Sequence, residues 1–391
     1  MTETGSPQAK RLMLRNTGLR TWSFTEHKTC CAAIAGSWAV CVLLFVGSRH
    51  GDLTYKAGLG LGQRGSGTTL AVSAAIRPAC KGFNTGWRLP AKPVKDTCAT
   101  VPVQTVRIDN PEFSICARTK SNVVDNLVIS NKGYWPDCGD ILKLLEEGGG
   151  QVLQHNPSIA KQASKGLLVD VGANIGACAI WMAARGYDVV AFEPKPIHIA
   201  MLKASAALRP DVGRRITLHE MGLSDEPTAG AILVSEDSNS GNSWIFKPSQ
   251  EADVSVQGIG GAPGSTVSSD SGVSLGRLDD FCRQTIDVLK VDTQGFEGHV
   301  FRGAAGLMRS GYIKRIKFEF WPFGLRSHGS DPVQMLSFLA QVGYTLKIGG
   351  KILLPAEFGP LTDRLCASND VPDCANQFMD INGVWEGTQG V

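Results

Sequence analysis

The feature that most limits the fold of this chain is an alternation of apolar strand and helix patterns that begins at Leu167. The first predicted elements are, in order, Leu167–Val171, Gly176–Arg185, Asp188–Phe192, Pro196–Leu208 and Ile216–Met221. Strands that alternate with helices pair in parallel, and the helices then cover both faces of the sheet. The segment therefore predicts a doubly wound α/β domain, in which ligands bind beyond the carboxyl ends of the strands.

The alternation resumes after a long Ser- and Gly-rich insertion at about 248–274. The next predicted elements are strand Ile286–Val291, helix Phe296–Ser310, strand Ile313–Phe320 and helix Pro332–Val342, with Asp331 as its N-cap. Two final strands, Tyr344–Ile348 and Lys351–Leu354, flank Gly349 and Gly350, which tolerate a tight hairpin turn. We expect a Rossmann-like, mostly parallel sheet with a C-terminal antiparallel hairpin.

The turn after the first strand, from Asp170 to Gly176, has the residues of a ligand-binding loop. Gly172 and Gly176 allow a tight turn and a close approach of backbone N–H groups to a ligand. Asn174 stands where a dinucleotide fingerprint has its second glycine, and Asp170 would repel a pyrophosphate. Asp170 instead suits a ligand that carries an ammonium group and no phosphate, such as the methionine end of S-adenosylmethionine.

Two later strand ends extend this predicted binding site. Glu193 follows the second strand, where a carboxylate can bind both hydroxyl groups of a ribose. Ser224 and Asp225 follow the third strand, where an adenine edge would lie. The alternatives are a solvated acid at Glu193 and a turn former at Ser224 or Asp225.

Three further acids are candidate catalytic residues. Asp292 follows the fourth strand next to the switch point of the sheet, so it should share a cleft with Asp170. Glu297 lies in the first turn of the next helix, where its alternative role is a favourable interaction with the helix dipole. Glu319 lies inside an apolar strand, where a carboxylate is costly unless it is paired or used.

These motifs, taken in order, resemble those of the FkbM family of methyltransferases. The matching residues are Asp170 to Gly176, Phe192-Glu193-Pro194, Leu223-Ser224-Asp225, Asn239-Ser240-Gly241, Leu278-Asp279, Lys290 to Glu297, and Glu319-Phe320. No single motif is specific, but the combination is. One departure is Gln294, because many members of the family carry Glu at this position.

The resemblance implies a class I methyltransferase that transfers a methyl group from S-adenosylmethionine to an oxygen, often a hydroxyl group of a small molecule or glycan. The predicted cofactor contacts are Asp170, Gly172, Asn174, Gly176, Glu193, Ser224 and Asp225. Asp292 is predicted to be the base or to orient the acceptor, and Glu297 or Glu319 to support it. Trp244, Trp321 and Phe323 are candidates for stacking on a sugar ring.

Other functions remain open at this stage. A catalytically inactive binding or scaffold protein would fit Gln294 and the long insertion. A nicotinamide-dependent oxidoreductase would need a loop that accepts phosphate, which Asp170 opposes. A minor alternative is an N-methyltransferase, although the chain lacks the N/D-P-P-Y/F motif expected to hold an amino group. The near-balanced net charge of +3, with scattered basic residues, argues against a nucleic-acid partner.

The N-terminal part predicts a membrane anchor. Residues 29–48 contain no charged residue and match the length of a bilayer core, roughly 30 Å at about 1.5 Å per helical residue. Basic residues within 1–28 predict a cytosolic N-terminal tail and a type II orientation, with a lumenal catalytic domain in the Golgi or endoplasmic reticulum. The alternatives are a cleaved signal peptide and a transit segment. The remaining predicted divisions are a flexible stem at 49–100, an N-terminal cap at 101–166, the methyltransferase domain at 167–354 and a C-terminal tail at 355–391.

The cysteines support an oxidising lumen. Cys178 and Cys282 fall in predicted core helices and are expected to be buried thiols. Six others lie outside the nucleotide-binding core and form an even set compatible with disulfides: Cys80, Cys98, Cys116, Cys138, Cys366 and Cys374. No CxxC pair or His/Cys cluster appears, so we expect no metal site.

Overall fold

The computed structural model describes residues 24–33, 39–49, 52–61, 71–72, 82–89, 98, 103–109, 111–118, 123–130, 136–148, 164–237, 239, 241–248, 266–281, 283–368 and 374–387. The chain divides into two compact units, Met1–Cys80 and Lys81–Val391.

The first unit contains one antiparallel sheet of four strands, β1 (Phe24–Ala33), β2 (Ala39–Arg49), β3 (Asp52–Leu61) and β4 (Ala71–Val72). The predicted membrane-spanning helix at 29–48 is therefore wrong over its described residues, which lie in β1 and β2. An apolar run alone does not distinguish strand from helix, and Val40, Val42, Phe45 and Val46 favour a strand. Within the described residues, no helix is both long and apolar enough to cross a membrane. The predicted cytosolic tail, up to residue 23, lies outside them.

The second unit contains the α/β fold. Its strands are β5 (Val103–Asp109), β6 (Glu112–Arg118), β7 (Leu167–Val171), β8 (Asp188–Phe192), β9 (Ile216–His219), β10 (Gly222–Leu223), β11 (Thr228–Glu236), β12 (Ser243–Phe246), β13 (Val267–Gly276), β14 (Val288–Val291), β15 (Arg315–Phe320), β16 (Tyr344–Ile348), β17 (Lys351–Ile352) and β18 (Met379–Trp385). Its α-helices are α1 (Val123–Ser130), α2 (Pro136–Glu147), α3 (Ala177–Ala184), α4 (Pro196–Leu208), α5 (Pro210–Gly213), α6 (Glu297–Gly303), α7 (Ala305–Arg309), α8 (Pro322–Ser327), α9 (Pro332–Gln341) and α10 (Phe358–Cys366).

The main sheet has eight strands in the order β17-β16-β18-β15-β14-β7-β8-β9. Strands β15, β14, β7, β8 and β9 are parallel, as the alternation predicts. Two apolar clusters cover its faces, one around Val169 and Phe318 and the other around Leu168 and Ala191. The predicted N-cap is also present, because the Asp331 side chain accepts a hydrogen bond from the Gln334 amide. The fold is thus a mixed, doubly wound α/β sheet.

The C-terminal edge of this sheet differs from the prediction. Strands β16 and β17 do pair around Gly349 and Gly350, but this pair does not adjoin β15. Strand β18 lies between β15 and β16 and is antiparallel to both. The predicted tail at 355–391 therefore contains a strand from inside the sheet. Its sequence, MDINGVW, is interrupted by Asp380, Asn382 and Gly383, residues that are depleted in strands, so it does not resemble a central strand.

The end of the predicted insertion and the residues before it form a second, four-stranded sheet in the order β10-β13-β11-β12, in which only β13 overlaps the insertion. Strands β11 and β13 form a long antiparallel pair that brings Val234 opposite Ser269. Strand β13 is rich in Ser and Gly, so its sequence resembles a linker although its backbone is paired. This second sheet buries Leu233, Ile245 and Leu275 against Phe296.

Part of the predicted stem packs against the main sheet. Trp87 exchanges backbone hydrogen bonds with Leu218 at the β9 edge, and the Phe83 ring stacks on Phe281 with centroids 5.1 Å apart. The prediction of a flexible stem is thus wrong for residues 82–89. Their sequence has no strand periodicity, and single aromatic residues anchor them.

Three disulfides join described cysteines: Cys98–Cys116, Cys138–Cys178 and Cys366–Cys374. The prediction that Cys178 is a free thiol is wrong, because α3 packs directly against α2 and brings Cys178 next to Cys138. Sequence periodicity placed Cys178 in a helix but did not show which helix would face it. Cys80 and Cys282 lie outside the described residues.

Candidate functional site

A cavity of about 960 Å³ lies beyond the carboxyl ends of β7, β8, β14 and β15. A volume near the upper end of the usual range leaves room for a cofactor and a small second ligand. Its lining falls into two groups. The loop end comprises Gly172, Asn174, Glu193, His198, Gly222 and Leu223, and the acidic end comprises Asp137, Asp292, Gln294, Glu319, Trp321, Phe323, Asn376, Phe378 and Asp380.

The glycine loop holds the backbone of the loop end close to the next strand. Gly172 has φ 78°, and a Cβ at this position would lie 1.9 Å from the carbonyl oxygen of Asp292. Asn174 also has positive φ, 54°, which few residues other than glycine adopt readily. Gly172 and Asn174 line the cavity, whereas Gly176 shapes the turn with φ 88°. The close backbone contact explains why position 172 requires glycine.

Glu193 is fixed by groups on both sides of the loop end. Its carboxylate accepts hydrogen bonds from the backbone amides of Asn174 at 2.8 Å and Lys195 at 2.9 Å, and Nδ1 of His198 lies 3.4 Å away. Burial raises the pKa of Glu193, but His198 and these two amides lower it by a larger amount. The net pKa therefore lies below its usual value. Glu193 is therefore an oriented, ionised acceptor at the cavity wall. His198, in the first turn of α4, is also part of this wall.

Asp170 is fully buried and is not among the lining residues. Its Oδ1 lies 3.1 Å from Nζ of Lys290, which also donates to the carbonyl oxygen of Gly172 at 2.9 Å. Burial raises the pKa of Asp170, and Lys290 opposes that shift only in part. The structure thus places Asp170 behind the glycine loop, where it holds Lys290, rather than facing the cavity.

Ser224 and Asp225 also lie away from the lining. Asp225 accepts hydrogen bonds from Ser224, Arg302 and Lys247, and the His299 ring lies 3.0 Å from it. Burial raises the pKa of Asp225, but His299 and Arg302 lower it to well below its usual range. The predicted adenine contact thus lies in an ion cluster, and the preceding Gly222 and Leu223 line the cavity instead.

At the acidic end, one amide bridges two of the predicted catalytic acids. The Gln294 Nε2 donates to Oδ1 of Asp292 at 2.9 Å and to Oε2 of Glu319 at 3.1 Å. Lys290 Nζ lies 3.5 Å from the other oxygen of Asp292. Burial raises the pKa of Glu319 well above its usual value, and the nearby Asp292 and other acids raise it further. The side chains of Asp292 and Glu319 both line the cavity.

Glu297, unlike Asp292 and Glu319, does not line the cavity. It is fully buried and accepts hydrogen bonds from the backbone amides of Thr293 and Gly295 and from the Thr293 hydroxyl. Burial raises its pKa to about 7, which these hydrogen bonds only partly oppose. Its contacts are those of a side chain that holds the loop carrying Asp292 and Gln294, as expected for an acid in a first helical turn.

A buried lysine organises the remaining acids of the acidic end. Lys317 Nζ lies 2.8 Å from Asp380 and 3.4 Å from Asp137. Burial raises the pKa of Asp380 to about 6, although Lys317 lowers it in part. Asp137 and Asp380 come from the predicted cap and the predicted tail, and sequence motifs pointed to neither. Within the described residues, no group of three or more His, Cys, Asp or Glu side chains is arranged to hold a metal ion.

The second sheet closes the cavity over the loop end. Glu236, Asn239, Asn242 and Ser243 line the cavity from the β11–β12 connection. The buried Lys195 donates to the Ser235 hydroxyl and so ties the loop after Glu193 to β11. In the sequence, the Asn239-Ser240-Gly241 motif was the feature that indicated a role for this connection in the site.

Comparison with known families and proteins agrees with this architecture. The family described as the methyltransferase FkbM domain matches residues 170–346, which include both the glycine loop and the strand that carries Glu319. Residues 170–346 are an FkbM methyltransferase domain. A curated relative, the methyltransferase sdnD of Sordaria araneosa, is 26% identical over 232 residues, which cover 54% of this chain and 85% of that protein.

Two solved structures overlap with the chain more weakly. The methyltransferase FkbM of Methylobacillus flagellatus is 17% identical, with a TM-score of 0.31, over 46% of this chain and 39% of that protein. The precorrin-6y C5,15-methyltransferase of Geobacter metallireducens is 13% identical, with a TM-score of 0.27, over 57% of this chain and 80% of that protein. The assignment of the FkbM domain rests on its sequence match and not on these overlaps.

The cavity draws on residues outside the matched FkbM domain. Val124, Leu127 and Asp137 come from α1 and α2, and Phe378 and Asp380 come from the segment before and within β18. Trp321 and Phe323 line the cavity as the stacking hypothesis requires, whereas Trp244 is buried and packs edge-on against Trp321. The acidic end is thus assembled from four separate segments of the sequence.

Proposed function

We propose that this methyltransferase transfers the methyl group of S-adenosylmethionine to a hydroxyl group of a small-molecule or glycan acceptor. The observation that carries this proposal is the position of Asp292. Its carboxylate is accessible to the cavity at the junction of the loop end and the acidic end, with its side chain 30% exposed. A carboxylate between a methyl donor and an acceptor is placed to take the proton from a hydroxyl group as it is methylated.

The residues of the loop end fit S-adenosylmethionine. When bound, the cofactor supplies a methyl group already activated on a positively charged sulfur. Gly172 and Asn174 would approach it through the backbone, and Glu193 would bind its ribose hydroxyl groups. The described lining of the cavity contains six acids and neither Lys nor Arg: Asp137, Glu193, Glu236, Asp292, Glu319 and Asp380. Such a lining favours a cationic cofactor and disfavours the pyrophosphate of a nicotinamide dinucleotide.

The hydrogen bonds of the acidic end distinguish the roles of its two central carboxyl groups. The Asp292 carboxylate lies 3.5 Å from Nζ of Lys290 and accepts a hydrogen bond from Gln294, and these two contacts fix its orientation at the cavity wall. Burial and the neighbouring acids raise the pKa of Glu319 and so favour its protonated form, which can donate a hydrogen bond that orients the acceptor. Asp292 is therefore proposed as the base and Glu319 as a positioning residue, while Glu297 supports the loop between them.

The proposed setting is an oxidising compartment such as the lumen of the secretory pathway. The three described disulfides support it, since disulfides persist mainly in such compartments. Two of them link residues at 98–138 to each other or to α3, so they would stabilise the wall formed by α1 and α2. A glycan or another small secretory metabolite is the acceptor class that fits this setting.

The direct test is incubation of the full chain with labelled S-adenosylmethionine and extracted glycans, lipids and metabolites. We expect label in a product whose new methyl group is on oxygen. Asp292→Asn should retain S-adenosylhomocysteine affinity within about twofold and lose roughly 10²–10⁴-fold in methyl transfer, the usual contribution of a general base. Full activity of this variant would exclude Asp292 as the base.

Calorimetry separates the two alternative functions. We expect S-adenosylhomocysteine to bind and a nicotinamide dinucleotide not to bind; the opposite result would support an oxidoreductase. Binding of S-adenosylhomocysteine without transfer to any extracted acceptor would instead support an inactive binding protein.

A further inference from the structure

We propose that the acidic end selects acceptors by charge: it binds an uncharged hydroxyl compound against an aromatic wall and rejects acceptors that carry a phosphate or carboxylate near the reacting hydroxyl. The aromatic wall consists of Trp321, Phe323 and Phe378. This inference rests on the proposed O-methyl transfer and narrows its substrate class.

The first support is the absence of a free cation facing the acceptor. Among the described lining residues of the whole cavity there is no Lys and no Arg. Four carboxyl groups line the acidic end, on Asp137, Asp292, Glu319 and Asp380. Among the residues of the acidic end, a bound phosphate or carboxylate would therefore meet only groups of its own charge and neutral groups.

The two nearest lysines cannot supply the missing charge, because each is already engaged. Lys317 is 3% exposed and lies between Asp137 and Asp380. Lys290 is 8% exposed, pairs with Asp170 and Asp292, and donates to the carbonyl oxygen of Gly172. Turning Lys290 toward a ligand would leave the fully buried Asp170 without its partner, and turning Lys317 would break both of its ion pairs, so each change is unfavourable.

The acidic end also offers an apolar surface. Trp321 is held in place because its indole N–H donates to the carbonyl oxygen of Ala375 at 3.0 Å. The Phe323 ring lies against it, with centroids 5.6 Å apart. Phe378 is 57% exposed and also lines the cavity, so its ring is accessible to a ligand. These rings match the apolar face of a sugar or another hydroxylated ring.

The carboxyl groups and the aromatic wall together explain how an uncharged acceptor would be selected. An uncharged hydroxyl compound can donate hydrogen bonds to the carboxylates and pack its apolar face on the rings. An anion would lose its hydration in the cavity without gaining a partner, and the acids would repel it. Specificity of this kind comes from the unfavourable interactions that exclude the wrong ligand as much as from contacts with the right one.

The test separates extracted glycans and metabolites into neutral and anionic fractions by anion exchange. The full chain is then incubated with labelled S-adenosylmethionine and each fraction. We expect at least tenfold more label per hydroxyl group in the neutral fraction. Label mainly in the anionic fraction would overturn the inference but leave the proposed methyl transfer intact. A chain that binds S-adenosylhomocysteine but labels neither fraction would contradict the proposed function and, with it, the inference.

A charge-changing variant provides an independent readout. Asn376 is an exposed residue of the lining, so Asn376→Arg adds a cation to the acidic end without disturbing the core. We expect it to raise labelling of the anionic fraction at least threefold, while Asn376→Gln, the matched control, leaves the distribution unchanged. Both variants should retain S-adenosylhomocysteine affinity. An unchanged distribution in a folded, cofactor-binding Asn376→Arg variant would count against selection by charge.

Discussion

The loop end and the acidic end of the cavity are built in different ways. Most of the loop end comes from residues 172–223, and its contacts are made largely by backbone amides that turns and one carboxylate hold in place. The acidic end is assembled from 124–137, 292–294, 319–323 and 375–380. Its contacts are made by buried charged side chains. The end proposed to bind the cofactor is local in sequence, whereas the end proposed to bind the acceptor depends on long-range pairing.

This difference has a consequence for stability. At the loop end, positive φ angles cost little conformational free energy where glycine is present. The hydrogen bonds there also join residues that are close in sequence. At the acidic end, Lys317 and its acid partners are stable only when all are together, because a buried charge without its partner is unfavourable. Loss of a distant segment should therefore disrupt the acidic end more than the loop end.

The largest expected effect is that of truncation after Leu354. The shortened chain keeps every motif of the loop end but loses β18, which is hydrogen-bonded to both β15 and β16. We expect it not to fold cooperatively, since the sheet would be left with a gap and Lys317 without Asp380. Circular dichroism and thermal unfolding check this outcome. The control is a chain that ends at Gly387 and keeps β18. A folded, S-adenosylhomocysteine-binding product of the first truncation would show that the loop end is autonomous.

A smaller but still large effect is expected for Gly172→Ala. The added Cβ would lie 1.9 Å from the carbonyl oxygen of Asp292, so the loop must move. We expect S-adenosylhomocysteine affinity to fall more than about 100-fold, which corresponds to roughly 2.7 kcal/mol. Calorimetry measures the loss. Gly230→Ala is the matched control: φ at Gly230 is 76°, similar to that of Gly172, but no atom lies within 4 Å of its added Cβ.

The control isolates steric contact from backbone strain. Both substitutions place alanine in the left-handed region, at a cost of about 1–2 kcal/mol each. Equal losses of affinity in the two variants would mean that strain, and not the contact with Asp292, requires glycine at position 172.

The same contrast explains which features of the structure could be predicted from the sequence. Local patterns predicted β7, β8 and α4 at their observed bounds, because apolar periodicity and Pro196 act within a few residues. They also placed Asp292 and Glu319 in one site. They missed β18, Asp137 and Asp380, because nothing within a short window shows which distant segment will pair with β15. Asp225 was misread since its partners His299 and Arg302 are far away in sequence.

The third prediction concerns the bridge at Gln294. Gln294→Glu places a third carboxyl group within hydrogen-bond distance of Asp292 and Glu319, and a protonated carboxyl group can donate to only one of them. Groups this close share protons and ionise at higher pH. We expect the acidic limb of the pH–rate profile to move up by about one unit, with a loss of roughly tenfold below the limb. The profile is measured with the acceptor identified by labelling.

A second variant keeps this prediction specific to charge. Gln294→Met removes both donated hydrogen bonds and adds no ionisable group. We expect lower activity at every pH without displacement of the acidic limb. Superimposable profiles for the wild-type chain and Gln294→Glu would refute a role for Gln294 in controlling protonation at the acidic end.

The smallest effect on methyl transfer is expected for Glu297→Gln. The amide oxygen of Gln can accept the same bonds from Thr293 and Gly295, and the amide nitrogen replaces Oε2, which has no hydrogen-bond partner. Because Glu297 lies outside the lining, we expect transfer and S-adenosylhomocysteine affinity to stay within about threefold, less than the loss from removing a general base. A loss of 100-fold or more in a stable variant would instead return Glu297 to the catalytic group.

The stability of this variant should nevertheless depend on pH. Burial raises the pKa of Glu297 in the folded chain from 4.5 to about 7, so the folded state holds a proton that the unfolded state has released between these values. The wild-type chain therefore loses stability as pH rises through about 7, whereas Glu297→Gln has no such proton to lose. Relative to its value at pH 4.5, the stability of the variant at pH 8 should exceed that of the wild-type chain by about 1–3 kcal/mol. Urea unfolding at the two pH values measures this difference, and parallel pH dependences would show that Glu297 is already ionised in the folded loop.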